Sequence, residues 1–339
     1  MKDSKRVTIK DVARIADVSP STVSRVISGS SRISRTTTDR VNKCMEELGF
    51  HPNAIARSLA NSTSRAIGLV MPDKPGEALS NPFFPEALRG ILKASSGLGY
   101  DVLLSSHQGD NEDQLDSIKA MINTSKVDGI ILMTSRKEDV AINYLAALDF
   151  PFSVIGSPYD DSEIFNHTDN DNFLAAYELT QYIISKKLRK LAIIAGGRDL
   201  TVTAHRLKGC ISALENANLE YDPSNLLIGD FDEDTGYKFG IQLAESGADV
   251  DAVIATDDVL AFGVATALRE KGIRIPEDIA VASFNNSILS RKCHIPITSI
   301  EIHPDRLGEE AVKLLVSAIE NGTRGLKIII SHTIMTRLD

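Results

Sequence analysis

The stretch TIKDVARIADVSPSTVSRVIS, residues 8–28, packs two short amphipathic patterns against a three-residue break. Thr8 stands where a helix N-cap is wanted, and Asp11 three residues later can return the bond to it. Ile9, Val12, Ala13 and Ala16 then share one face, which predicts a helix over about 9–16. After the turn Asp17-Val18-Ser19, Ser19 can cap a second helix. Pro20 sits at its first position, where a missing N–H costs nothing. That helix runs to about residue 28 and stops at Gly29, and a third runs from near Ser34 through Val41, Met45 and Leu48 to Gly49. Two short helices joined by a tight turn, with a third closing the core, is the helix-turn-helix arrangement.

The second helix turns Val23, Val26 and Ile27 inward and leaves Pro20, Ser21, Thr22, Ser24 and Arg25 outward. Small hydroxyl residues let a helix approach the floor of the major groove closely. Their O–H groups can meet phosphates or base edges, and one arginine can grip guanine O6 and N7. With Thr8 and Ser19 at the helix starts, these residues form the candidate DNA-contacting set of the head. An ordinary three-helix packing module is the alternative reading of the same pattern.

Charge favours the DNA reading. Residues 1–60 hold eleven Lys and Arg against six Asp and Glu, net +5, while the rest of the chain holds 26 against 40, net −14. The formal total of −9 hides this asymmetry. A basic head on an acidic body suits a polyanion at one end only.

Residues 49–61, GFHPNAIARSLAN, place Asn53 as cap of a helix of about two turns with Ile55 and Leu59 on one side. A helix that short is marginal alone in water, since isolated helices need about 12 residues or more, so it needs a partner. Paired with its copy on DNA, it would let two Leu59 side chains wedge into a minor-groove base step. Asn53, Ala56, Leu59 and Ala60 are therefore the candidate DNA contacts of a hinge. Residues 61–64, NSTS, read as a linker.

The remaining residues alternate strand and helix. Apolar runs at 65–71, 100–106, 127–133, 150–156, 188–196, 251–256 and 278–284 are separated by amphipathic stretches such as PEALRGILKASSGLG and VLAFGVATALREKG. This pattern predicts parallel α/β sheets, and about 270 residues suit two half-sheets with a cleft between them. Ligands of open parallel sheets bind beyond the carboxyl ends of the strands, and the loops there are rich in amides, hydroxyls, carboxylates and phenylalanine. Such loops suit a sugar.

The segments VTIKDVARIADVSPSTVSRVIS, HPNAIARSLA and RAIGLVMPD together closely resemble the LacI/GalR family of bacterial transcription regulators, and the likeness extends to Asp339. The resemblance implies a homodimer on a double-stranded operator, with a helix-turn-helix head over 1–52, a hinge and linker over 53–63 and a body over 64–339. The body would be built like a type I periplasmic sugar-binding protein, its first lobe about 64–162 and 294–324, its second about 163–293 and 325–339. In the body the resemblance gives Arg206 the place of the effector-clamping arginine. It puts Phe83, Phe84 and Phe231 at ring-stacking positions and Asp257 and Asn285 at polar positions facing hydroxyls. The alternative readings are that the phenylalanines are core, Arg206 a surface ion pair and Asn285 a loop cap.

The sequence departs from the sugar-responding pattern at two places, with Thr256 where many members have Asn, and Asn285 where they have Asp. An amide both donates and accepts, so an uncharged polyol still fits. NPFFPEALRGI, IGSPYDD and FNNS look most like regulators of maltose and maltodextrin operons. A member governed by a protein corepressor or a non-sugar ligand stands as the alternative.

Catalysis has no motif to rest on. IIAGGRD, residues 193–199, follows a strand but lacks both GxGxxG spacing and a GK[ST] ending, and the seven histidines form no HExxH pair. No cofactor or metal is expected, and a cytoplasmic sugar-processing enzyme is the remote alternative. Cys44, Cys210 and Cys293 lie far apart, and the beginning MKDSKRVTIKD has no apolar leader, which points to a cytoplasmic protein with no membrane contact. The ending SHTIMTRLD carries no leucine heptads, which points to a dimer rather than a tetramer.

Overall fold

The computed structural model describes residues 7–27, 30, 32–50, 63–72, 78–105, 111–159, 164–247 and 249–338. The hinge residues Asn53, Ala56, Leu59 and Ala60 lie outside the described residues. The chain divides between Arg65 and Ala66 into a head and a body.

The head holds α1 (Ile9–Ile15), α2 (Pro20–Ile27) and α3 (Arg35–Glu47). The Asp11 carboxylate accepts from both the backbone N–H and the hydroxyl of Thr8, at 3.0 and 2.7 Å, and so fixes the first turn of α1. Ser19 Oγ accepts from Thr22 N at 3.1 Å and caps α2, and Ser34 does the same for α3 through Thr37 N. An eight-residue helix such as α2 is held by tertiary packing rather than by propensity. That packing is a small core of Val12, Ala13, Ala16, Val23, Val26, Val41 and Cys44.

Among the described residues the body is two lobes, each a six-stranded sheet flanked by helices. The first sheet contains β1 (Ala66–Val70), β2 (Asp101–Leu104), β3 (Gly129–Leu132), β4 (Phe152–Ile155), β5 (His167–Asn170) and β11 (Lys327–Ile330), ordered β11-β5-β4-β3-β1-β2. The second contains β6 (Leu191–Gly196), β7 (Leu226–Gly229), β8 (Ala252–Ala255), β9 (Ala280–Asn285), β10 (Thr298–Glu301) and β12 (Thr333–Met335), ordered β12-β10-β9-β8-β6-β7. Among the described residues every pairing of these strands is parallel except that of β10 with β12. Central strands are buried on both faces, which is why they read as unbroken apolar runs.

The helices of the first lobe are α4 (Phe83–Gly97), α5 (Asn111–Asn123), α6 (Val140–Ala147) and α12 (Pro304–Asn321). Those of the second are α7 (Asn172–Ser185), α8 (Thr201–Asn216), α9 (Glu233–Ser246), α10 (Asp258–Glu270) and the short α11 (Ile288–Lys292). α4 crosses α12 at backbone contact. A Cβ on Gly90 would stand 1.9 Å from the Asp305 carbonyl oxygen, and one on Gly308 2.2 Å from that of Ala87.

The lobes exchange segments differently from the boundaries the resemblance implied. Strand β5 belongs to the first sheet although it lies beyond residue 162, β10 belongs to the second although it lies within 294–324, and β11 returns to the first. The run LKIIISHTIM is two strands, one in each sheet, so the chain changes lobe at Ser331 and His332. Crossings therefore fall after β5, after β10 and after β11. The Asn170 side-chain amide ties them together, donating to Ile302 O at 3.1 Å and Ile330 O at 2.9 Å.

Candidate functional site

In the head, Ser19, Pro20, Ser21, Ser24 and Arg25 are exposed, as is Thr8, while Thr22 is half-buried and Val23 and Val26 face the core. The outward surface of α2 is thus the small, hydroxyl-bearing one with a single long cation in its last turn. Ser19 Oγ also lies 2.7 Å from Ser21 Oγ and 2.8 Å from Thr22 Oγ1, so these three hydroxyls form a local network at the helix start. Each hydroxyl retains capacity for a phosphate oxygen, because a serine or threonine oxygen can donate one bond and accept two.

In the body, the loops beyond the strand ends of both lobes enclose a cleft of about 490 Å³ lined by all six residues expected there, Phe83, Phe84, Arg206, Phe231, Asp257 and Asn285. They come from five separate parts of the chain. Phe83 and Phe84 open α4 just after β1, with their rings edge to face at 5.2 Å between centroids. Both are half-buried and pack against the first lobe's core, and Phe83 also touches that of the second. They serve as core and as cleft wall together. Phe231 follows β7 and lies on the strip Gly196-Gly197, where a Cβ on Gly196 would stand 2.6 Å from the ring. Glycine here is what lets the ring lie flat against backbone.

Arg206 lies in the second turn of α8 and is 5% exposed, which excludes a surface ion pair. Its guanidinium sits 4.3 Å from the centre of the Phe284 ring. Nε donates to Asn172 Oδ1 at 2.8 Å and Nη1 to Thr256 O at 2.6 Å. The Asn172 amide is set in turn by Asp169, whose Oδ1 accepts from Asn172 Nδ2 at 2.9 Å. A three-residue relay from β5 through α7 thus fixes the angle at which Arg206 meets the cleft. Burial lowers the arginine to about 10, opposed by the charges of Asp257, Asp169 and Asp258.

Asp257 caps α10 through Val259 N at 2.8 Å, and its other oxygen accepts from Asn285 Nδ2 at 2.8 Å and from Asn81 Nδ2 at 3.1 Å. Burial is the largest influence on this carboxyl and raises it to about 6 against these stabilising bonds. Asn285, at φ +97°, spends its amide N–H on Asp257, so the two polar residues address one another as well as the cleft. Asn285 is therefore not a loop cap.

Several lining residues escaped the sequence reading. Asn81 bonds Asp257 across 176 positions of chain and across the cleft from one lobe to the other. Asp169 sits on a strand whose sequence, HTDN, has no apolar signature. Arg136, after β3, pairs with Asp199, after β6, at 2.5 Å. Backbone bonds beside that pair, from Lys137 N to Asp199 O at 3.1 Å and Thr201 N to Ser135 O at 3.2 Å, clasp the two lobes. No local pattern marks any of these, since each acquires its role only from a partner in a distant loop. Among the described residues, no group of three or more His, Cys, Asp or Glu is placed to hold a metal ion, and no helix is long and apolar enough to cross a membrane.

A three-helix head with a groove-sized polar helix, followed by a two-lobed cleft, defines a class of regulator that couples a DNA-binding head to a small-molecule sensor. Residues 8–53 match the lacI family of bacterial regulatory proteins, and 180–337 match a periplasmic binding protein-like domain. The HTH-type transcriptional regulator MalR of Streptococcus pneumoniae is 36% identical over 338 residues, which span 98% of this chain and 99% of that one. The chain therefore belongs to the lacI family, and it is a transcriptional regulator rather than an enzyme. Among solved structures, the complex of the regulator CelR with cellobiose aligns over 98% of this chain and 99% of its own, with TM-score 0.75 and 29% identity. The lac repressor dimer bound to operator and the anti-inducer ONPF shares the fold, with TM-score 0.83 and 24% identity over 98% of each chain.

Proposed function

We propose that this chain is a cytoplasmic homodimeric repressor that reads a palindromic operator through α2 of its two heads and responds to maltose or a maltodextrin bound in the body cleft. The observation that carries the reading is the cleft itself. Six residues scattered from position 83 to 285 converge on one cavity that offers aromatic faces beside buried amide, carboxylate and guanidinium groups. That is the chemistry a polyol needs, apolar ring faces against phenylalanine and hydroxyls against planar donors and acceptors. Maltose is favoured within the sugars by the likeness to a solved staphylococcal structure described as a probable maltose operon transcriptional repressor, malR, which aligns over 81% of this chain with TM-score 0.74 and 28% identity.

In this reading 1–52 is the head, 53–63 the hinge and linker, and 64–339 the body. Arg25 reads a guanine edge while Thr8, Ser19, Pro20, Ser21, Thr22 and Ser24 bring α2 against phosphates and base edges. Asn53, Ala56, Leu59 and Ala60 form the hinge pair in the minor groove. Dimerisation is supported by the first lobe's edge. Strand β2 carries Leu103 and Leu104 at 37% and 41% exposure, beside Leu92 of α4 at 49%, an apolar edge that a second copy would cover. Ligand in the cleft changes the angle between the lobes and denies the paired hinges their mutual packing.

A thermal-shift screen of the full chain against mono-, di- and oligosaccharides tests the assignment. A ligand at 100 times its Kd adds about 2.7 kcal/mol. A shift with maltose or maltotriose that is absent with unrelated sugars supports the reading, and no shift with any sugar overturns it.

A further inference from the structure

We infer that the cleft selects its ligand by charge, admitting an uncharged sugar and rejecting the phosphorylated form of the same sugar. The inference rests on the cleft being the effector site and goes on to the chemical form of the effector.

Among the described residues, five carboxylates line the cleft, Asp169, Asp199, Asp230, Asp232 and Asp257, against two guanidiniums, Arg136 and Arg206. Neither guanidinium is set up as a phosphate receptor. Arg136 already faces the Asp199 carboxylate at 2.5 Å and Pro72 O at 3.4 Å. Arg206 gives two of its nitrogens to Asn172 and Thr256, with one face covered by Phe284. A site built for phosphate presents a bidentate guanidinium fork or a row of backbone N–H groups at a helix start. Two helix starts at this cleft are instead filled by carboxylates, and at those of α4 and α8 the first N–H goes to protein, Phe83 N to Asn81 Oδ1 at 3.0 Å and Thr201 N to Ser135 O at 3.2 Å. Asp257 fills the N-terminus of α10 through Val259 N, and Asp232 fills that of α9 through Thr235 N at 2.6 Å.

The carboxylates are also placed where an entering ligand meets them. Asp230 and Asp232 are exposed and flank the half-buried Phe231, so the ring that would stack on a sugar stands between two negative charges. Asp199 is exposed as well, while Asp169 and Asp257 are buried in the floor. A cleft lined mainly by one sign of charge concentrates the opposite sign and depletes its own, and the effect falls with ionic strength. A neutral sugar is indifferent to this field. A phosphate carries about two negative charges at neutral pH and must enter against it.

Two measurements on the full chain test this. The first reads the field with no sugar present. In a Cys293→Ser background, which leaves only the buried Cys44 and Cys210, Val202→Cys places one thiol on the cleft wall. Its rates of modification by a trimethylammonium and by a sulfonate methanethiosulfonate are each divided by the rate on free cysteine. The cationic reagent is expected to react at least about tenfold faster after this correction at low salt. The ratio should fall severalfold on adding salt or in the Asp230→Asn, Asp232→Asn double variant, in which Asn keeps the α9 cap. Equal corrected rates, or a faster anionic reagent, would overturn the inference.

The second measurement is calorimetric titration with maltose and with maltose 6′-phosphate. Binding of the phosphate at least about tenfold weaker, with part of the loss recovered in the double variant, is expected. Tighter binding of the phosphate overturns the charge selection. If neither sugar binds while the reagent ratio holds, the maltose reading fails and the charge selection stands.

Discussion

Asp257 offers the sharpest thermodynamic test of the cleft. Its carboxyl is raised from 3.8 to about 6, chiefly by burial, despite three hydrogen-bond donors. Between those two values the folded protein binds a proton that the unfolded chain has released. Stability therefore falls as pH rises through this window and levels off above about pH 6.5. Two units at about 1.36 kcal/mol each make the loss on the order of 3 kcal/mol. Asp257→Asn removes the titration while keeping a good N-cap for α10. The difference in unfolding free energy, wild type minus variant, should decline by about 2–3 kcal/mol between roughly pH 4 and pH 6.5 and then stay flat. The chain has no tryptophan, so urea unfolding is followed by circular dichroism. A flat difference across the window would mean that the carboxylate is solvated. A rising difference would mean that its donors outweigh its burial. Either result refutes the account of Asp257 as a desolvated cleft group.

Three further outcomes follow from the same geometry. Arg25→Ala should cost about 1–3 kcal/mol on the specific operator and much less on random DNA in fluorescence anisotropy, whereas equal losses would make Arg25 a phosphate anchor. Asn172→Ala should leave operator binding intact and weaken sugar binding roughly tenfold or more by calorimetry, because a bond to a charged group is worth about 1.5–3 kcal/mol and Arg206 would lose its orientation; wild-type affinity would show the relay to be idle. Gly90→Ala places a methyl group 1.9 Å from Asp305 O and should lower the body's unfolding free energy by at least about 1–3 kcal/mol, an effect that a flexible α4–α12 crossing would not show.

The head was legible because its information is local. Caps, turn and apolar face all fall between Thr8 and Leu48, and α1, α2 and α3 lie within two residues of where Thr8, Ser19 and Ser34 place them. Strands buried on both faces were legible for the same reason, as continuous apolar runs. The strands that were missed, β5 and β10, read HTDN and TSIE. They carry polar residues where they lead into the crossings and the cleft, Asp169 bonding Asn172, Asn170 bonding Ile302 O and Ile330 O, and Ser299 bonding Asp258, while Ile300 packs in the core. β7, LLIG, is short and half-buried at a sheet edge. The lobe boundaries were misplaced with them, since a chain that changes sheet three times leaves no compositional mark at the exchange.

The cleft was legible only in part, and the reason is similar. The resemblance supplied Phe83, Phe84, Arg206, Phe231, Asp257 and Asn285, and all six line one cavity. What orients them could not be read that way. Asn81, Asp169 and Asn172 are unremarkable polar residues until folding sets Asn81 against Asp257 and the Asp169-to-Asn172 pair behind Arg206. The Arg136–Asp199 clasp joins loops 63 residues apart and has no counterpart in either loop alone.

Under the proposed function, sugar in the body governs DNA affinity in the head, which operator titration with and without maltodextrin reads out. Labelled operator is titrated with the full chain and with Arg206→Ala, each with and without saturating maltotriose. The expected result is a sugar-dependent shift in operator affinity for the natural chain, of about fivefold or more as coupled sites show, and no shift at the same sugar concentration for Arg206→Ala, with its sugar-free affinity unchanged. An unchanged operator affinity in the natural chain with the cleft occupied, or an undiminished response in Arg206→Ala, would contradict it.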